Sequence, residues 1–248
     1  MQYSSTHNVS VGSKPFIAPP TTFHVVPGDR AEMHMDIMES AFRLRHRVFV
    51  DQYGWKALRR ADQREIDQFD TKSAIHIVAV EGERVVGYSR LLPTTEPHLL
   101  SSVYPELAAK EIPVSHSIWE WTRYCVAPEK RGQTAIGNVG SVLLYSVLKY
   151  AHDADFHKLS MQTDPLWITR FFDLGFDVDP LGMPADFDGS PVVAMTVSLT
   201  EAALQKCRRL LRIRSFEFSD LNPSLSDQKC DWRRGRHETL CGGIVSAK

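Results

Sequence analysis

Arg45 lies in an amphipathic run from Ala31 to about Tyr53, three or four residues from Ala41, Phe42, Val48 and Phe49, on the stripe that faces a core. A guanidinium there needs carboxylate partners or a charged ligand, because an unpaired buried charge is very costly. The plainer alternative is an Arg that snorkels at the edge of the stripe. Downstream, Glu65-Ile-Asp67-Gln-Phe-Asp70 sets three acids around Phe69 just before a hydrophobic strand. Clustered carboxylates suit an amine or sulfonium cation, or else form an ordinary acidic loop that caps the strand. Arg90 shares an otherwise apolar strand face with Val86, Tyr88 and Leu92 by the period of two. Glu120 and Arg123 are three residues apart in another strand, so regular alternation separates them and a β-bulge would bring them toward one side. Trp119 and Trp121 flank Glu120, and an acid poorly solvated among indoles suits a general base; the alternative is a Glu–Arg pair inside the sheet.

A second chemistry follows that strand. The run KRGQTAIG brings Lys130, Arg131, Gly132 and Gly137 to the start of a helix, where backbone N–H groups and the helix dipole bind phosphate. A turn with a solvated basic edge reads equally well from the residues alone. Further on, Met161, Leu166, Trp167, Phe171 and Phe172, with Ser160 and Thr163 nearby, read from the residues alone as plain core.

These residues need elements to hold them. After the helix over 31–53, AIHIVAVE and RVVGYSRLL flank a Gly-centred connection and predict a hairpin. A third strand covers 117–127, a helix runs from about 138 to 151, a strand covers 158–163, a short helix 165–174 and a last strand 192–199, which together make an α/β plan. Residues 1–29 read as a polar leader or first edge strand, 30–200 as the catalytic body, and 201–248 as a basic helix with a polar tail. The 248 residues, 43% hydrophobic, suffice for a core, and 29 basic against 30 acidic residues give no general pull toward nucleic acid or membrane. No secretory signal or spanning stretch is evident, so the expectation is a cytoplasmic protein. Four cysteines without a CxxC pair argue against structural zinc.

The segments RLRHRVFVDQYGWKAL, EIDQFD, RLLPTTEPHLL and IWEWTRYCV stand in the order and spacing of the LuxI-type autoinducer synthases, which the chain resembles over about residues 30–200. The positions that match the family's polar and aromatic set are Arg45, Phe49, Trp55, Asp67, Asp70, Arg90, Glu120 and Arg123. The resemblance implies a GNAT-like three-layer α/β sandwich, a mixed central β-sheet flanked by helices. It implies acyl transfer to S-adenosylmethionine with lactonisation and release of 5′-methylthioadenosine, and no metal or other cofactor. Under it, Glu120 is the base, Arg45 and Arg123 hold a carboxylate or order the acidic loop, and Asp67 and Asp70 favour the cationic substrate. Phe49 and Trp55 then wall the adenosylmethionine pocket, while Arg131 and Gly132 belong to a degenerate phosphopantetheine loop. Under the resemblance Met161, Leu166, Trp167, Phe171 and Phe172 line an acyl tunnel, with Ser160 and Thr163 as the nearest hydroxyls. The donor is acyl-carrier protein or acyl-CoA, with Lys130, Arg131 and the run Arg208, Arg209, Arg212 and Arg214 as docking charges for an acidic carrier, although the run also reads as a solvated helix face. The stretches REIDQFDT and PLGMPADFDGSPVVA look most like the branch that takes branched or aromatic acids from CoA. Two other readings remain at this point: a different GNAT-type N-acyltransferase, and a non-catalytic ligand-binding regulatory protein.

Overall fold

A computed structural model of the chain describes residues 20–132, 139–187 and 189–221. Strands β1 (Thr21–Pro27), β2 (Ile75–Glu81), β3 (Arg84–Pro93) and β4 (Ile118–Val126) form an antiparallel run. β5 (Lys158–Thr163) joins β4 in parallel, and β8 (Ser190–Ser198) returns antiparallel to β5. The short strands β6 (Val178–Pro180) and β7 (Ala185–Phe187) both pair with β8. The order is β1-β2-β3-β4-β5-β8-β6, a mixed sheet of the GNAT-like kind. The β2–β3 hairpin turns at Gly82, whose φ of 60° is easy only for glycine.

Helices cover both faces. α1 (Met35–Arg45) packs on β3 from one side, while α3 (Val139–Asp153) lies against the other, where Gly87 leaves room for Val139 and Leu143. The short α2 (Leu99–Ser102) sits at the end of β3, and α4 (Leu166–Leu174) and α5 (Glu201–Leu210) complete the layers. The helix expected over 31–53 is one helical path of three kinds: a 3-10 segment at Gly28–His34, α1, and a π-helical turn at His46–Gln52. π-helical turns often mark functional sites, because the wider pitch resets the direction of the side chains that follow. α2, β6 and β7 were not anticipated, since three or four residues are too few to show a period.

The segment read as a C-terminal appendage is, through residue 221, part of the main body. Ala203, Leu204, Cys207 and Ile213 are buried in the main core, and Phe216 packs edge-on against Phe23 and Tyr145. Ser219 N–H donates to the Phe23 carbonyl, so this strand-like strap lies along β1. An amphipathic helix with a narrow apolar stripe reads as basic and solvated in sequence, yet the stripe finds α3 and α4. The tail beyond 221 and the first 19 residues lie outside the described residues. Among the described residues no helix is long and apolar enough to cross a membrane.

Candidate functional site

Arg45 ends α1 with no solvent exposure. Its Nε donates to Glu65, its Nη1 and Nη2 grip Asp70 at 2.7 and 3.0 Å, and Nη1 also reaches the Tyr88 hydroxyl at 3.2 Å. Arg90, equally buried, donates to both oxygens of Asp67 at 2.6 and 2.9 Å, to Asp70 at 2.7 Å and to Thr122 Oγ1 at 3.1 Å. Arg123 completes the set, meeting Glu65 at 3.1 and 3.2 Å and Asp67 at 2.8 Å. Three guanidiniums and three carboxylates therefore close on one another, which is how so many charges stay buried. Backbone bonds pin the acidic loop as well: Asp67 N–H donates to Asp70 and Glu65 N–H to the Phe42 carbonyl.

Burial by itself would push these carboxyls up. Arg45 and Arg123 reverse that for Glu65, Arg90 and Arg123 for Asp67, and Arg45 and Arg90 for Asp70, so all three lie below the usual carboxylate range. Asp67 and Asp70 were expected to favour a cationic substrate. Their oxygens face arginines, and the network's own charges balance.

Of the two arrangements that the spacing of Glu120 and Arg123 left open, the strand takes the bulge. Between the pairs Tyr88–Cys125 and Arg90–Thr122, one residue of β3 opposes two of β4, and Arg123 takes φ 56°. That left-handed residue brings the Arg123 side chain onto the face of Glu120 and Thr122, over the acidic loop.

Glu120 is fully buried, and its two oxygens accept from Leu99 N–H at 2.8 Å, Leu100 N–H at 2.7 Å and Gln162 Nε2 at 2.9 Å. It does not pair with Arg123; the first turn of α2 and the side chain of β5 hold it. The indoles expected to crowd it lie on the opposite face: Trp119 stacks on Phe156 at 4.5 Å, and Trp121 donates to Ser89 and meets Phe171 at 6.0 Å. Alternation along β4 makes this unavoidable, since neighbours in a strand point apart.

β4 and β5 pair only from Ile118–Lys158 to Glu120–Ser160. Beyond that rung both strands continue unpaired with each other, β4 to Val126 and β5 to Thr163, so the sheet opens into a cleft whose apex is Glu120 and Ser160. Ser160 is fully buried, its hydroxyl has no hydrogen-bond partner among the described residues, and it shares the Glu120 face with Gln162. Met161 points to the other face, toward the cluster of Trp121, Trp167 and Phe171, where Trp167 and Phe171 lie 5.6 Å apart and Tyr124 meets Trp167 at 6.2 Å. The expected acyl set is thus split by the sheet. Leu166 and Phe172 are exposed at 64% and 70%, outside any tunnel, and Thr163 is half-buried at the strand end.

On the network side, Phe49 and Trp55 stack at 4.9 Å and 17°, Tyr53 leans on both, and the Arg123 guanidinium lies 5.6 and 5.7 Å from the two stacked rings. Trp55 is 45% and Tyr53 54% exposed, so this aromatic group forms an open wall beside a buried charge network. Aromatic faces of this kind suit a flat base or a sulfonium. The expected phosphate loop is described only through Gly132, which takes φ 72°; Gly137 lies outside the described residues. Arg131 is already engaged with the Val126 carbonyl, Gln52 and the Tyr53 ring, and Lys130 with Glu81.

Sequence reasoning left Glu65 out of the site set although it stood in the acidic run, and it passed over Tyr53, Thr122, Gln162 and the buried pair His76 and Tyr88. Tyr88 shares a strand face with Arg90, which was the available signal.

Residues 29–204 match the autoinducer synthase family. The chain belongs to that family. It is 37% identical over 182 residues to the isovaleryl-homoserine lactone synthase of Bradyrhizobium diazoefficiens, covering 73% of this chain and 81% of that protein. The acyl-homoserine-lactone synthase of Acinetobacter nosocomialis is 31% identical across 62% of this chain and 88% of its own. Among solved structures, the CoA-dependent acyl-homoserine lactone synthase BjaI with SAM and isopentyl-CoA superposes with a TM-score of 0.73 at 33% identity, covering 82% of this chain and 96% of that one.

Proposed function

We propose that this autoinducer synthase acylates the amine of S-adenosylmethionine from a thioester and closes the product to an acyl-homoserine lactone, releasing 5′-methylthioadenosine. The observation that carries the reading is the closed Arg–carboxylate network beside the Phe49–Trp55 wall, with Glu120 at the apex of the β4/β5 cleft, in a chain of this family. The aromatic wall takes the adenosyl sulfonium, and Arg123, at its edge, attracts the amino-acid carboxylate. Glu120, through a water, takes a proton from the substrate ammonium, and the freed amine attacks the thioester carbonyl. The C–S bond breaks, a thiol leaves and the amide forms. The substrate's carboxylate then attacks its own γ-carbon, and the C–S⁺ bond breaks to give the neutral thioether. The sulfonium is a sufficient leaving group for this closure.

For the donor, acyl-CoA is favoured over acyl-carrier protein. The relatives cited above include an isovaleryl-homoserine lactone synthase and a CoA-dependent enzyme, and two of the charges expected to dock a carrier, Lys130 and Arg131, are held within the fold. The acyl group enters between β4 and β5 toward Met161 and Trp167, and the buried rings of Trp121 and Phe171 close the far end, which favours a short branched or aryl acid. The enzyme acts in the cytoplasm, where both substrates are made.

Mass spectrometry of spent medium from a host expressing the protein tests this directly. The fragment ion common to homoserine lactones should appear with wild type, with the parent mass of a short branched or aryl chain. It should drop about 100-fold or more with Glu120→Gln, within the range for removing a general base. Signal unchanged in Glu120→Gln would overturn the base, and no signal from wild type fed isovaleryl and aryl acids would overturn the activity.

A further inference from the structure

Tyr88 and His76 belong to no part of the mechanism above, yet they are buried directly behind Arg45. His76 (β2) and Tyr88 (β3) sit one diagonal step apart on the face covered by α1, with His76 Nδ1 and the Tyr88 hydroxyl 2.7 Å apart and the rings 5.9 Å between centroids. The same hydroxyl receives Arg45 Nη1 at 3.2 Å, and the Arg45 guanidinium lies 5.1 Å over the Tyr88 ring. His76 is 2% exposed and Tyr88 fully buried.

The directions of the protons follow from donor inventory. A guanidinium can only donate, so the Tyr88 oxygen accepts from Arg45. Among the described residues its single proton then has one destination, His76 Nδ1, which must be the bare nitrogen of a neutral imidazole protonated on Nε2. Burial holds His76 down to about 4; among the charged groups around it, Arg90 and Arg45 push the same way while Asp70 and Asp67 oppose them. A second proton on His76 would leave the Tyr88 hydrogen without an acceptor. Arg45 meets Glu65, Asp70 and Tyr88, and Tyr88 is the only neutral one of these partners.

We infer that Tyr88 and His76 are positioning residues: a buried relay of fixed proton direction, Arg45 to Tyr88 to His76, that sets the guanidinium and through it the acidic loop and Arg123. This rests on the adenosylmethionine reading for its kinetic consequence, but not for the relay itself. The relay predicts which substrate is affected. Arg45 shares Glu65 with Arg123, which edges the aromatic wall, whereas the acyl side lies across the sheet.

Two measurements on the full chain test it. Long-range ¹H–¹⁵N spectra should show His76 as the neutral Nε2–H tautomer from pH 5.5 to 8; an imidazolium or an Nδ1–H tautomer in that range overturns the relay, whatever the enzyme makes. In steady-state assays with isovaleryl-CoA, Tyr88→Phe and His76→Leu should raise KM for S-adenosylmethionine about 10-fold, the scale of one hydrogen bond to a charged group, with KM for the thioester changed less than about twofold. His76→Asn, whose side-chain oxygen can accept in place of Nδ1, should recover to within about threefold of wild type. If both KM values and kcat move together and His76→Asn does not recover, the pair is merely structural and the inference fails. If wild type makes no homoserine lactone while the tautomer is as stated, the function fails and the relay stands.

Discussion

The two faces of the sheet at β3 and β4 are built on opposite physical rules. On one, Arg45, Arg90 and Arg123 meet Glu65, Asp67 and Asp70 through at least one named bond to every carboxylate, and no member can leave without stranding a buried charge. On the other, Trp121, Tyr124, Trp167, Phe171 and Met161 belong to one apolar cluster that meets through rings and side-chain carbons, and its polar tips bond outward, Trp121 to Ser89 and Tyr124 to the Gly140 carbonyl. The first face fixes a geometry and the second tolerates exchange; in the proposed reaction the first would hold S-adenosylmethionine and the second the acyl group.

The largest expected break is Asp70→Asn. The side chain keeps its shape but loses the charge shared by Arg45 and Arg90, which leaves an excess buried cation and should cost about 3–5 kcal/mol in urea unfolding, with activity lost. A loss below about 1 kcal/mol would mean the network relaxes as freely as an aromatic cluster. Acid titration of stability separates the groups further. His76 has a folded value of about 4, below the ordinary 6.5, so its contribution is present above 6.5 and is lost as pH falls toward 4, at about 1.4 kcal/mol per pH unit in the middle of that window. His24, also lowered chiefly by burial, acts in the same direction. Glu65, Asp67 and Asp70 are lowered too, so their stabilisation is complete above the unfolded carboxylate values near 4 and drains away below them. Stability should therefore fall gently from pH 6.5 to 4 and steeply below. His76→Asn should shrink the first limb and leave the second. The smallest effect is expected on the aromatic face: Met161→Leu should cost less than about 1.5 kcal/mol while shifting the ratio of acyl products when two thioesters compete. An unchanged ratio would remove Met161 from the acyl path.

Much of this site was legible before the fold. Arg45 on an apolar stripe and three acids in six residues marked where a buried guanidinium would need carboxylates or a charged ligand, and left open which of the two, or a snorkelling side chain, the fold would use. The bulge was one of two arrangements that the spacing of Glu120 and Arg123 left open. What failed was any step from neighbourhood in sequence to neighbourhood in space: Trp119 and Trp121 adjoin Glu120 along the chain and lie across the sheet from it. The acyl residues were likewise read as one lining although Ser160 and Met161 alternate. The C-terminal helix read as solvated because its apolar stripe is narrow beside its many arginines.

By itself, then, the sequence determined the order of the longer helices and strands, the family and which charges would need partners if buried, since local periodicity and the cost of an unpaired buried charge are properties of the chain. Only the tertiary structure decided the partners. Which carboxylate each arginine takes, that Glu120 is held by the α2 backbone and Gln162, and that Tyr88 and His76 stand behind Arg45 all depend on strand register and on which face each side chain meets. A shift of one residue would exchange the two faces, and local sequence carries almost no energy that distinguishes them.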